Sequence, residues 1–185
     1  LDDPISWYMP EMANLEVALS TAGTSMVSDG TSGRSIGAGD PSLKGQTRRA
    51  TRQPTIRDLL RHTAGMTYGI FGNTEVDKLY RKAGILDDVR TLKQFTTALG
   101  KLPLQYDPGE QWHFSVSADV QARLIEVLSG MRFGSFLKER IFKPLDMVDT
   151  DFLIHDSKKN RLARLYLPKG SRSGNFLSIP KTDAL

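Results

Sequence analysis

The sequence predicts a mostly α chain, and three observations carry that prediction. Apolar residues recur at helical spacing in five stretches. Three of those stretches open on Thr followed three residues later by Asp or Gln, the signature of a capping box. Alternating strand-type runs are scarce, with residues 151–154 and 162–167 the weak candidates.

Taken in order, the first helix starts at Thr55 with Asp58, places Ile56, Leu59 and Leu60 on one stripe, and is expected to stop at Gly65. The second starts at Thr74 with Asp77, buries Val76, Leu79, Tyr80 and Ala83, and ends at Gly84. Thr91 with Gln94 opens the third, whose inward side is Leu92, Phe95, Leu99 and Leu102, with Pro103 beyond its end. A fourth runs from Ser117 to Ser129 on Val120, Leu124, Val127 and Leu128 and stops at Gly130. The fifth carries Phe133, Phe136, Leu137 and Ile141 and is stopped by Pro144.

The rest of the chain is read as connection. Residues 1–19 mix prolines with scattered apolar side chains and predict extended chain with a short helical turn. Residues 20–53 are rich in Gly, Ser and Thr and predict a surface loop. Lys44, Arg48, Arg49, Arg52, Arg57 and Arg61 make its end basic, which reads first as a solvated charge run. The organisation expected is an opening segment 1–19, a loop 20–53, a helical subdomain 54–150 and a closing segment 151–185.

Bulk properties exclude several classes. The 185 residues hold 39% hydrophobic and 25% charged side chains, an ordinary globular balance. Cysteine is absent, which removes disulfides, thiolate metal sites and thiol nucleophiles, and fits a cytoplasm and a periplasm equally. The three histidines have no metal-ligand spacing, so neither metal nor other cofactor is expected. No apolar run reaches the roughly 20 residues of a membrane helix. No secretory signal is visible, and the chain opens on Leu1 rather than Met, as expected of a chain that is cut, processed or only partly included. A net charge of +4 is too mild for a dedicated nucleic-acid binder, and the arginines of 48–61 lack helix-turn-helix spacing.

Three stretches together resemble a known family. They are Thr55-Ile-Arg-Asp-Leu-Leu-Arg-His-Thr-Ala-Gly65 with Met66 and Tyr68-Gly69, then Asp107-Pro-Gly-Glu-Gln-Trp-His-Phe-Ser115, then Phe136-Leu-Lys-Glu-Arg-Ile-Phe-Lys-Pro-Leu-Asp-Met147 with Asp149-Thr150. In this order and spacing they resemble the class C β-lactamase-related serine hydrolases, which include β-lactamases, D-alanyl-D-alanine peptidases, esterases and acyltransferases. The resemblance implies the helical subdomain of the two-domain serine β-lactamase and penicillin-binding-protein fold, with most of the mixed sheet outside this chain. It implies acyl-enzyme chemistry on an ester, amide or β-lactam, in which a Ser of a Ser-x-x-Lys motif is activated by a neighbouring base. That motif is expected ahead of Leu1, and a Lys-Thr-Gly or His-x-Gly sheet motif beyond Leu185. The expected partners are a small acyl substrate and the rest of the same polypeptide, with self-association when the latter is absent.

The resemblance puts one cleft wall in residues 111–116, with Phe114 at the family's tyrosine and Val116 at its asparagine. Phe114 has no hydroxyl to relay a proton, so another group must carry it, with His113 the first suspect, or the protein is a catalytically impaired pseudoenzyme or binding module. Ser115 either caps the fourth helix or donates to substrate. Trp112 reads as a core anchor or a substrate contact, and His113 as a solvent-facing or cleft-facing ring. Of the other histidines, His62 is expected to bond free carbonyls at a helix end, and His155 to lie in an exposed charged loop. Ser135-Phe-Leu-Lys138 matches Ser-x-x-Lys by letter and is read as coincidence on an amphipathic helix. Ser178-Ile-Pro-Lys181 contains Pro180, and Lys181-Thr182-Asp183 lacks the glycine of Lys-Thr-Gly; both are read as chance matches.

Overall fold

A computed structural model of the chain describes residues 1–19, 46–87 and 90–163. The described elements are strands β1 (Glu16–Ala18) and β2 (Thr47–Arg49) and helices α1 (Ile56–Leu60), α2 (Glu75–Lys82), α3 (Leu92–Leu99), α4 (Ser117–Ser129) and α5 (Phe133–Leu137). A π-helical turn, Lys138–Phe142, continues α5. The chain divides into two compact units, Leu1–Phe136 and Leu137–Leu185.

The mostly helical expectation holds, and each of the three threonine caps is formed. Thr55, Thr74 and Thr91 accept from the peptide N–H of Asp58, Asp77 and Gln94, whose side chains accept from the threonine N–H in return. α4 spans the residues expected of it and ends on Gly130, whose φ of 68° suits a residue without Cβ. α1 is shorter than expected. It stops at Leu60, and the chain turns at His62, a non-glycine residue with φ of 54°. Gly65 belongs to a later turn in which its carbonyl accepts from Gln105 N–H at 2.7 Å. Leu60 and Leu128, expected inward, are exposed.

The chain before α1 departs most from expectation. Residues 1–19 form two 3-10 turns, Ile5–Trp7 and Pro10–Met12, and then β1. Ile5, Met9, Met12, Leu15 and Val17 are buried in one core with Leu59, Met66, Leu99, Leu104, Val116, Val120 and Leu124. Burying these side chains is what fixes the opening segment on the helices. β2 pairs antiparallel with β1, Glu16 opposite Arg49 and Ala18 opposite Thr47, and on β1's other side Leu104 forms a parallel bridge with Val17. The end of the presumed loop is therefore part of the first unit, while residues 20–45 lie outside the described residues.

Three arginines of the basic stretch are paired with carboxylates, two of which, Asp58 and Asp107, are buried. Arg52 binds both oxygens of Asp58 at 2.6 and 2.9 Å, Arg48 binds both oxygens of Asp107, and Arg57 pairs with Asp2 at 2.7 Å. Arg48 and Arg52 thereby tie residues 46–53 to Asp107 and to α1.

In the second unit no residue of 137–163 is buried. Residues 151–154 form no strand, with a bend at 152–153; residues 164–167 of the other strand candidate fall outside the described residues, as do Ser178 and Lys181. Among the described residues no helix is long and apolar enough to cross a membrane, and no cluster of potential metal ligands occurs.

Candidate active site

The site is built where the turn after α1 meets the segment before α4. The left-handed backbone at His62 aims its carbonyl at the N–H of His113, 2.8 Å away, and Thr63 O accepts from Gly109 N–H at 2.7 Å. Two stretches 51 residues apart are thereby zipped together, and the ring of Phe114 lands on the first of them. Its centroid lies 5.2 Å from that of His62, 5.2 Å from Tyr68 and 5.9 Å from Phe71. Tyr68 meets Phe71 edge-on at 5.8 Å, and Trp112 meets His62 at 6.3 Å. Contacts of this geometry stabilise aromatic pairs by about 0.5–1.5 kcal/mol beyond simple burial.

The loop bearing Tyr68 and Phe71 is held from below. Thr67 donates to the buried Asp77 at 2.6 Å and accepts from Gly69 N–H at 3.1 Å. Arg81 donates to the carbonyls of Gly69 and Gly72 and, at 2.9 Å, to the Asn73 side chain. The outcome is a rigid base under an exposed aromatic ledge: Phe71 is 68% exposed, Trp112 65% and Phe114 46%.

Two polar groups stand at the ledge. The Tyr68 hydroxyl donates to Asp119 Oδ2 at 3.3 Å, from one stretch to the first turn of α4. Burial pushes the Asp119 carboxyl above its ordinary pKa, only partly offset by the Tyr68 hydrogen bond, and burial likewise raises the Tyr68 phenol, with Asp119 adding to it. The second group is His62 Nδ1, which is buried without a hydrogen-bond partner.

The expected site residues separate into two sets. Phe114 and Trp112 lie on the ledge, and exposure of Trp112 removes the core-anchor alternative for that ring. His113 is half-buried, with its ring against Tyr106 at 5.6 Å rather than free in solvent. Ser115 and Val116 are buried. Ser115 Oγ is hydrogen-bonded to Ser117 Oγ at 2.9 Å and does not cap α4, whose N-cap is Val116 with no side-chain bond. The side chain of Val116 belongs to the core. His62 does not bond helix-end carbonyls through Nδ1; its ring joins the ledge. His155 is exposed, 3.8 Å from Asp151. Ser135 is exposed, and Lys138 Nζ lies 3.9 Å from Asp151 Oδ2.

Tyr68, Phe71 and Asp119 were not singled out from sequence. Tyr68 sits inside the first resembling stretch, but only the fold brings it to Phe114, 46 residues later. The aromatic spacing Tyr68, Phe71, Trp112, Phe114 is the one local signal available.

Comparison with known proteins assigns the fold. Among solved structures the chain is similar to EstCE1, a hydrolase with promiscuous acyltransferase activity, with a TM-score of 0.60 at 23% identity, covering 85% of this chain and 34% of that one. Protein Rv1367c of Mycobacterium tuberculosis is 27% identical over 168 residues, 90% of this chain and 36% of that protein. Esterase EstB of Burkholderia gladioli is 30% identical over 103 residues, 54% of this chain and 26% of the esterase. The chain thus spans about a third or less of the length of these relatives. The profile of the Beta-lactamase family matches residues 1–180, nearly the whole chain, and the chain belongs to that family.

Proposed function

We propose that the protein carrying this chain is a serine hydrolase of the β-lactamase type, transferring an acyl group from an ester, amide or β-lactam to water through a serine ester. The observation that carries the reading is the family match over residues 1–180, which includes the wall 111–116 and its ledge. The esterase and hydrolase among the relatives support acyl chemistry. In this reading the ledge of Phe71, Trp112 and Phe114 forms one wall of the cleft. The remainder of the polypeptide contributes the nucleophile, in a Ser-x-x-Lys segment ahead of residue 1, and most of the mixed sheet. A nucleophile and its base act as a unit, so the 185-residue chain alone is inert.

The test is labelling of the complete polypeptide with a serine-directed fluorophosphonate, the modified peptide being identified by mass spectrometry. One labelled serine ahead of residue 1, with hydrolysis of p-nitrophenyl esters above buffer, is the expected result. A phosphonyl group on Ser135 that Lys138→Ala abolishes would overturn the assignment of the nucleophile. A second reading, a binding module or pseudoenzyme of the same fold, is favoured by one observation, the absent hydroxyl at Phe114. Ligand binding without label or turnover is its signature.

A further inference from the structure

The serine-hydrolase reading leaves one chemical gap, the hydroxyl that Phe114 lacks. We propose that Tyr68, backed by Asp119, supplies it, and that this pair relays the nucleophile's proton on the cleft wall. The inference rests on that reading and adds residues to it.

Geometry selects Tyr68 among the neighbours of Phe114. Its ring packs on that of Phe114 at 5.2 Å, tilted by 40°, so its hydroxyl belongs to the same patch of wall. Its hydroxyl already has an acceptor, Asp119 Oδ2 at 3.3 Å. Its loop is fixed by the Thr67–Asp77 and Arg81 bonds, which removes the reorganisation a mobile donor would cost. The competing groups lack one of these features. His113 is turned onto Tyr106, and its ring makes no contact with Phe114 among the ring pairs of the ledge. His62 lies equally close to Phe114, but its Nδ1 faces no acceptor to which a proton could pass. Phe71 and Trp112 offer no oxygen.

The proton balance closes. As the serine oxygen bonds to the acyl carbon, its proton moves to Tyr68 Oη, and the phenol proton moves to Asp119 Oδ2. The carboxylate charge is thereby exchanged for the charge on the tetrahedral oxyanion. When that intermediate collapses, the proton returns by the same two steps to the departing oxygen or nitrogen. A carboxylate disfavoured as an anion by burial accepts a proton more readily than an exposed one, so the half-buried position of Asp119 suits it to end the relay. Among the described residues, the titratable group across Phe114 from the pair is His62.

The test uses the complete polypeptide and two readouts, the rate of fluorophosphonate labelling and kcat/KM for p-nitrophenyl acetate, each as a function of pH. Tyr68→Phe keeps the ring and is expected to lower both by about 100-fold, the scale of one general-base contribution. Asp119→Asn is expected to lower both comparably and to remove the acidic limb of the pH profile, which a merely structural defect leaves in place. Adding Phe114→Tyr to Tyr68→Phe is expected to restore at least about tenfold, because the hydroxyl returns to the same wall. A labelled wild type whose Tyr68→Phe and Asp119→Asn variants stay within threefold of it overturns the relay alone. A wild type that takes no label and turns over no ester overturns the hydrolase reading and the relay with it.

Discussion

Asp58 accepts more hydrogen bonds than any other carboxylate among the described residues of the first unit. It closes the cap of α1, accepts both nitrogens of Arg52, and receives the Thr63 hydroxyl at 3.1 Å. Burial pushes its carboxyl up, but the Arg52 pair and the two Thr55 donors outweigh that and hold it at about 2, against an ordinary 3.8. A depressed folded-state pKa gives stability that is complete above the unfolded value and is lost as pH falls through the folded one. Asp58 should therefore contribute about 2 kcal/mol that disappears between about pH 4 and pH 2. Urea titrations over that range should show Asp58→Asn starting less stable than the wild type and losing about 2 kcal/mol less on acidification. Equal acid slopes would refute the assignment. The residue scale is also where the sequence was least legible for function. Phe114 could be identified by a motif, but Tyr68 and Asp119 reach it only through tertiary contacts spanning 46 and 51 residues. Ser115 and Val116 were misplaced for a related reason. Motif spacing locates residues 111–116, but the face each side chain takes depends on where α4 begins, and in the fold both turn into the core.

At the scale of elements, local signals and long-range pairing part company. The helices were legible because a Thr-x-x-Asp or Thr-x-x-Gln pair fixes a start with no help from the rest of the chain. Thr91→Ala removes such a signal at an exposed helix start and should cost about 1 kcal/mol by chemical denaturation. The β1–β2 pair was not legible. Its strands are three residues each, joined across a long separation, and their order comes from Val17 entering the core and Leu104 bridging beside it. Turns behave in the same way. Gly65 looked like the end of α1, yet its φ of 81° serves the close approach of residues 104–106, and a Cβ there would overlap the Tyr106 carbonyl oxygen. Gly65→Ala combines left-handed strain with that overlap and should cost about 3 kcal/mol or more, well beyond the cap. Because Gly65 lies in the turn that carries His62 to Tyr68, the same variant should also weaken ester turnover in the complete polypeptide. A loss no larger than that of Thr91→Ala would show that the turn relaxes freely.

For the molecule as a whole, the decisive contrast is between the two units, each taken by itself. The first buries a continuous core from Ile5 to Leu124. The second has no buried residue among those described, although Leu145, Val148, Phe152 and Leu153 are large, apolar and more than half exposed. In α5 and the π-helical turn after it the spacing expected of a core-facing helix is present, but neither element buries a residue. Ion pairs such as Arg161 and Lys158 with Asp149 organise the second unit locally, but exposed pairs of this kind contribute little to stability. Apolar surface of that extent calls for a cover, and in the proposed protein the expected cover is the rest of its own polypeptide. Expressed alone, the 185-residue chain lacks it and should use a second copy instead. Sedimentation velocity from about 1 to about 100 µM should show mass rising with concentration, since association obeys mass action. Leu145→Lys with Phe152→Lys, both at exposed positions, should shift that rise to higher concentration without lowering the melting temperature of the first unit. A chain that stays monomeric across the range and melts cooperatively above about 65 °C, beyond the usual mesophile domain, would mean that the second unit closes its own apolar surface.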